Sequence, residues 1–321
     1  MTTSTEPAPA DAGRRARMPD FFIVGHHKSG TTALYEMLRR HPQIYMPDLK
    51  EPRYFASDLR PPVDSPASAR IPRTLEEYLA LFAPATAGQR VGEASPSYLR
   101  SRVAAREIAE LQPAARCVAI LREPASFVRS LHLQLVQEHV ETETDLAEAV
   151  AGEEIVRDGR QIRRYSDHIH YVEQLRRYED AFPSGQLLVL IYDDFRRENV
   201  ETVRRVLRFL DVDDDATVES IEANPTVSVR SMRLDGIVRA LYGEHGAPSR
   251  AVKGAVRALS TERLRRRAMG TLRRRVAYRE PDAPDERLMG QLRERYRPEV
   301  VALSEHLGRD LLALWGYDRA G

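Results

Sequence analysis

Four apolar residues, Phe21-Phe22-Ile23-Val24, run into Gly25, and Lys28, Gly30 and the pair Thr31-Thr32 follow at once. A short unbroken apolar run bounded by glycine reads as a strand buried on both faces. Beyond the threonines, Leu34, Met37 and Leu38 fall on one helical face, and Pro42 stops that helix near His41. The segment is therefore strand, glycine loop, helix. The free N–H groups of such a loop and the positive end of the helix dipole make an anion site, and Lys28 adds a full charge beside it. An ordinary strand-to-helix turn with a surface lysine uses the same residue types, so the rest of the chain must decide between the two.

Two more unbroken apolar runs, Cys117–Leu121 and Leu187–Tyr192, read as buried strands, and Arg90–Leu99 as a short strand running into a turn. Helical patterns separate them. Thr74 with Glu77 forms a capping box ahead of Leu75, Tyr78, Leu79 and Phe82, and further helices are expected at 103–111, 125–138, 163–182 and 200–210. Pro61, Pro62, Pro66 and Pro72 mark an exposed loop. Strands alternating with helices predict an α/β, P-loop-like three-layer fold, with a central, mostly parallel sheet flanked by helices. Beyond Asp215 the strands fade into a helical last third, with helices at 231–242, near 251–275 and at 285–307, the last broken or kinked at Pro298. The polar, Ala/Pro-rich residues 1–18 are expected to be a disordered tail. Residues 19–321 are expected to form a single domain, its core sheet within about 20–212 and its helical part within about 213–321.

Composition narrows the function. Lys plus Arg number 49 against 48 Asp plus Glu, so no global basic field points to nucleic acid. Cys117 is the single cysteine, which excludes an internal disulfide and a cysteine-built zinc site. No apolar run reaches the ~18–20 residues of a membrane span, and the N-terminal stretch lacks the apolar centre of a secretory signal. A soluble, cytoplasmic protein with no membrane or nucleic-acid partner is expected. Lysines occur only at 28, 50 and 253, which makes a lysine inside the glycine loop a weak candidate for filler.

The order of residues in that loop is informative. A Walker A loop places its Lys after the second Gly. Here Lys28 precedes Gly30 by two positions. Gly25-x-x-Lys28-Ser29-Gly30-Thr31-Thr32 resembles the 5′-phosphosulfate loop of the sulfotransferases that use 3′-phosphoadenosine-5′-phosphosulfate (PAPS). Leu121-Arg122-Glu123-Pro124, followed by Arg129-Ser130, looks like the 3′-phosphate element of the same enzymes. Lys50-Glu51-Pro52-Arg53-Tyr54-Phe55 is similar to the segment that carries the catalytic glutamate in the heparan-sulfate class, with Arg53 where that class has His. Gly92-Glu93-Ala94-Ser95-Pro96-Ser97-Tyr98 resembles a Glu-Lys-Ser-Pro-x-Tyr segment, with Ala94 in place of Lys.

The resemblance implies a sulfuryl transfer from PAPS to a hydroxyl of a small-molecule or carbohydrate acceptor, with PAP as product and no metal. Lys28 would stabilise the leaving phosphate oxygen, and Ser29, Gly30, Thr31 and Thr32 would hold the 5′-phosphate. Arg122 and Ser130 would select the 3′-phosphate. Glu51 would take the acceptor's proton, since a protonated hydroxyl is a poor nucleophile. Glu93 is a second candidate base, and His26, His27, His132 and His139 are further ones. Arg230 or one of Arg273–Arg275 could complete the 3′-phosphate site, and the seven arginines within 263–275 could form a lid over a polyanion. The alternative is a P-loop kinase or NTPase using Mg-ATP, for which Asp193, after the third strand, would hold the metal. The reversed Lys–Gly order argues against it.

Overall fold

The structure, a computed structural model, describes residues 17–61, 71–152, 155–157, 160–163, 165–215, 228–229, 278–279 and 282–318. They fall into two compact units. One runs to Arg122 and resumes over Tyr171–Ala223; the other comprises Glu123–His170 and the residues from Asn224 onward.

The first unit contains the sheet. Its strands are β1 (Phe21–Gly25), β2 (Ile44–Tyr45), β3 (Arg90–Ala94), β4 (Arg116–Leu121) and a fifth at Leu187–Ile191. They lie in the order β2-β3-β1-β4-fifth, and every neighbouring pair is parallel. The apolar runs explain this arrangement. Phe21, Phe22, Ile23 and Val24 are all fully buried, which only a strand covered on both faces allows. Phe21 and Ile23 point into a core shared with helix α1 (Thr31–Arg39) and the helix Asn199–Phe209, through Leu34, Leu38, Val203 and Leu207. Phe22 points the other way, its ring 5.9 Å from that of Phe55. Each such side chain contributes roughly 1.5–3 kcal/mol by leaving water.

Close strand packing demands glycine at Gly92. A Cβ there would stand 2.1 Å from Phe21 Cζ and 2.4 Å from Met46 Sδ. Helix α2 (Leu75–Ala80) begins with the expected capping box of Thr74 and Glu77. Helix α3 (Ala104–Leu111) packs on the helix Tyr171–Ala181 within the same unit.

The second unit holds α4 (Pro124–Gln137), α5 (Leu146–Ala151), the short antiparallel pair Ile155–Arg157 with Arg160–Arg163, and a pair of two-residue strands at 228–229 and 278–279. The 22-residue helix Glu286–Leu307 and the short helix Leu311–Trp315 follow. Helix α4 starts where Pro124 occupies its first turn and the Glu123 carboxylate accepts from the N–H groups of Ala125 and Ser126. The hydroxyl of Tyr317 donates to the same carboxylate at 2.7 Å.

Two expectations change. The helix expected over 163–182 starts only at Tyr171; Arg163 ends a strand and Ser166–His168 form a 3-10 turn. The long C-terminal helix, expected to be broken or kinked at Pro298, is unbroken there. The expected tail up to residue 16, the helices near 231–242 and 251–275, Arg230, and Arg273–Arg275 lie outside the described residues. Among the described residues, no helix is long and apolar enough to cross a membrane.

Candidate active site

In a parallel sheet, ligands bind beyond the carboxyl ends of the strands, where the order of strands reverses. Here the chain leaves β1 toward β2 and β3 on one side and returns to β4 on the other. The loop after β1 sits at that reversal. Lys28 within it has φ 57° and Gly30 has φ 85°, both left-handed. For a lysine this conformation costs about 1–2 kcal/mol, so the surroundings must hold it. Gly30 is the N-cap of α1 and offers no side chain to cap it; the first turn carries no acidic residue. The helix N-terminus is thus open to an external anion. A Cβ on Gly30 would lie 2.9 Å from the Phe195 ring, so only glycine fits here.

Arg122 follows the last residue of β4, beside β1, and supplies the hold on Lys28. Its Nη1 donates to the Lys28 carbonyl at 2.9 Å. The guanidinium carbon lies 4.8 Å from the centre of the Tyr192 ring, a cation–π distance, and the Tyr171 hydroxyl donates to the Arg122 carbonyl at 2.9 Å. Lys28 and Arg122 thus share the rim of the sheet. Ser130 belongs to the second unit, in α4. It is buried, and among the described residues its hydroxyl has no hydrogen-bond partner. An orphaned buried hydroxyl suits a site that awaits a polar ligand.

Glu51 lies beyond β3, on the other side of β1, where its N–H donates to the Ala94 carbonyl at 3.0 Å. Its own φ is 63° and that of Arg53 is 55°. Lys50 Nζ donates to one carboxylate oxygen at 2.8 Å, and Arg53 pairs with the other. Burial opposes ionisation of Glu51, but Lys50 and Arg53 outweigh it and hold the carboxyl well below the usual range. His27, close enough to feel Glu51, has its pKa pushed down to about 3, chiefly by desolvation. It is neutral at ordinary pH.

Glu93, in β3, is fully buried. Ser95 Oγ donates to one oxygen; the hydroxyls of Tyr78 and Tyr98 donate to the other at 2.8 and 3.0 Å. Desolvation raises its pKa to about 7 against the pull of these three donors. That value suits a general base, but geometry comes before pKa. Glu93 has no surface for an incoming acceptor to reach. His26 is buried too, its ring 5.5 Å from that of Tyr171. His132, in the second unit, has Tyr165 at Nδ1 and the Thr144 carbonyl at Nε2. Asp193 and Asp194 open the short helix Tyr192–Arg197, and Asp194 pairs with Arg197. Among the described residues, no group of His, Cys, Asp and Glu has the arrangement of a metal site.

Sequence reasoning missed Tyr192 beneath Arg122, the Arg122 link to the Lys28 carbonyl, and the role of Tyr78. Ser95 and Tyr98 were within the quoted motif; nothing in local sequence connects Tyr78 to Glu93.

A parallel five-stranded sheet with an uncapped helix end beside Lys28 and Arg122 defines an α/β protein with a glycine loop after its first strand. A model of the sulfotransferase family matches residues 19–216, and the chain belongs to that family. It is 32% identical over 120 residues to human heparan sulfate glucosamine 3-O-sulfotransferase 6, an overlap of 37% of this chain and 31% of the relative. With the bifunctional heparan sulfate N-deacetylase/N-sulfotransferase 1 of Caenorhabditis briggsae it shares 21% identity over 246 residues, or 74% of this chain and 28% of the relative. The chain thus spans under a third of the length of these curated relatives. The crystal structure of a sulfotransferase from Alicyclobacillus acidocaldarius superposes with a TM-score of 0.65 at 26% identity, over 92% of this chain and 98% of that one.

Proposed function

We propose that the chain transfers a sulfuryl group from PAPS to a hydroxyl of a small-molecule or carbohydrate acceptor. The observation that carries this reading is the alignment of three chemical groups on adjacent strand ends: Glu51 beyond β3, Lys28 beyond β1 and Arg122 at the end of β4, with Arg122 bonded to the Lys28 carbonyl. Ser29, Gly30, Thr31 and Thr32, at the open end of α1, would hold the 5′-phosphate. By the resemblance to the family, Arg122 and Ser130 would hold the 3′-phosphate that distinguishes PAPS from ATP.

In the reaction the acceptor oxygen forms a bond to sulfur while the bond from sulfur to the bridging 5′-phosphate oxygen breaks. Negative charge grows on that bridging oxygen, and the Lys28 ammonium would neutralise it as PAP leaves. The acceptor's proton passes to Glu51. Its carboxylate is ionised at ordinary pH, and each oxygen already faces a cation, so Lys50 or Arg53 must yield a place to the incoming hydroxyl.

Thermal-shift titration with PAP, ADP and ATP, with and without Mg²⁺, tests the donor half. A ligand that binds only the folded state raises its apparent stability. Stabilisation by PAP, indifferent to Mg²⁺, is expected; stabilisation by Mg-ATP alone would favour the kinase alternative. For the chemical half, Lys28→Ala should cost on the order of 10²–10³ in kcat, and Glu51→Gln on the order of 10²–10⁴. Turnover near wild type in Lys28→Ala would end the proposed mechanism.

A further inference from the structure

We propose that Glu93 is the positioning residue for Glu51, its carboxylate setting the direction of two hydroxyl relays that hold the backbone of residues 51–55. The inference rests on the reading of Glu51 as the base.

Residues 51–55 form no regular element, yet Glu51 and Arg53 both stand in the left-handed region. Such backbone persists only where its surroundings over-determine it. Three amide anchors do so. The Glu51 N–H reaches the Ala94 carbonyl. The Arg53 N–H donates to Ser95 Oγ at 3.0 Å, and the Phe55 N–H to the Tyr98 hydroxyl at 3.3 Å. The second and third anchors are side chains, and each hydroxyl has only one proton.

That single proton is what ties them to Glu93. Ser95 and Tyr98 can accept from the loop amides because each spends its own O–H on the Glu93 carboxylate. The groups that face this carboxylate are Tyr78 from α2 and Ser95 and Tyr98 from the turn after β3, all buried, with the charge of Glu51 nearby. No cation is paired with Glu93 among the described residues. A carboxylate that buries a charge to receive three hydroxyls and no cation is costly as a mere filler. Its particular property is that once ionised, above about pH 7, it only accepts. A glutamine in its place presents an NH₂ on one side. The hydroxyl facing that NH₂ must give it a lone pair, so its own proton loses the carboxylate and only its second lone pair is left for the loop amide. That relay is reoriented and weakened while shape and volume are unchanged.

Hydrogen exchange and kinetics of Glu93→Gln at pH 8, where the wild-type carboxyl is ionised, together test this. The amides of Arg53 and Phe55 are read against those of β1 and β4, and kcat against KM for PAPS. The expected result is faster exchange confined to the 51–55 segment and a fall in kcat of about ten- to a hundredfold, the cost of a misplaced catalytic group, with KM for PAPS unchanged. The kcat effect should vanish when Glu93→Gln is added to Glu51→Gln. Unchanged exchange at Arg53 and Phe55, or an equal loss of kcat in the Glu51→Gln background, overturns the proposal and leaves the base reading intact. Wild-type turnover of Glu51→Gln alone overturns the base reading, and Glu93's role falls with it. Should Glu93→Gln fail to fold, Ser95→Ala and Tyr98→Phe each remove one relay while keeping the carboxylate. Both are expected to speed exchange at their own amide, Arg53 or Phe55, and a variant that leaves that amide unchanged overturns the proposal equally.

Discussion

Replacing Glu93 by Gln should change how stability depends on pH, in a direction and size that follow from its burial. In the unfolded chain this carboxyl titrates near its ordinary 4.5; in the fold desolvation lifts it to about 7. Between those values the native state holds a proton that the unfolded chain has released. Stability therefore falls as pH rises across the window. The contribution is fully present below about 4.5 and is lost once pH passes about 7. At ~1.4 kcal/mol for each pH unit of displacement, the loss is about 3 kcal/mol. A glutamine side chain cannot titrate, so the Glu93→Gln variant lacks this slope. Urea unfolding of both proteins at pH 4.5, 6 and 8 isolates the effect, because every other titrating carboxyl is common to the two and cancels in the difference. The wild type minus variant stability should shrink by about 3 kcal/mol from pH 4.5 to pH 8. In a chain of 321 residues that is a change of roughly 4–5 °C in relative Tm. Parallel curves for the two proteins would refute the argument, and would mean that the three hydroxyls compensate fully for the lost water.

Further outcomes follow from other sites. Arg53→Ala removes one of the two cations that hold the Glu51 carboxyl down. The pKa of Glu51 should rise, and the acid limb of the kcat profile, where the base becomes protonated, should move to higher pH; an unmoved limb would separate Arg53 from the base. Arg122→Ala should weaken PAP binding far more than ADP binding in thermal-shift titrations, since the 3′-phosphate is the difference between such ligands; equal weakening would leave Arg122 as a brace for Lys28 alone. Gly92→Ala forces a methyl group into Phe21 and Met46 across the sheet. It should cost at least ~1–3 kcal/mol in denaturant unfolding.

Much of this protein is legible along the chain. The apolar runs at 21–24, 117–121 and 187–191 are strands because so continuous a run can be buried only on two faces, and the helices between them force those strands to be parallel. Glycine at 30, a lysine ahead of it and an uncapped helix are local facts, as are Pro124 and Glu123 opening α4 and the capping box at Thr74. Lys28 and Arg122 can be picked out because each follows an apolar strand, and Glu51 because its segment resembles that of the family. What one-dimensional pattern cannot supply is which strand ends are neighbours. The order β2-β3-β1-β4 brings Arg122 to the Lys28 carbonyl across 94 residues of chain. The start of the helix expected over 163–182 misleads for a related reason: Arg163 pairs with Ile155 of a strand close by in the chain, and Ser166–His168 form a 3-10 turn. Glu93 shows the limit most clearly. Its sequence neighbours make it a second, weaker candidate base behind Glu51. The fold separates them, because Tyr78, arriving from α2, and Tyr98 seal one carboxylate away from water, while Lys50 and Arg53 keep the other ionised at the rim. Burial and charge at a side chain depend on everything that packs around it, and that is decided in three dimensions.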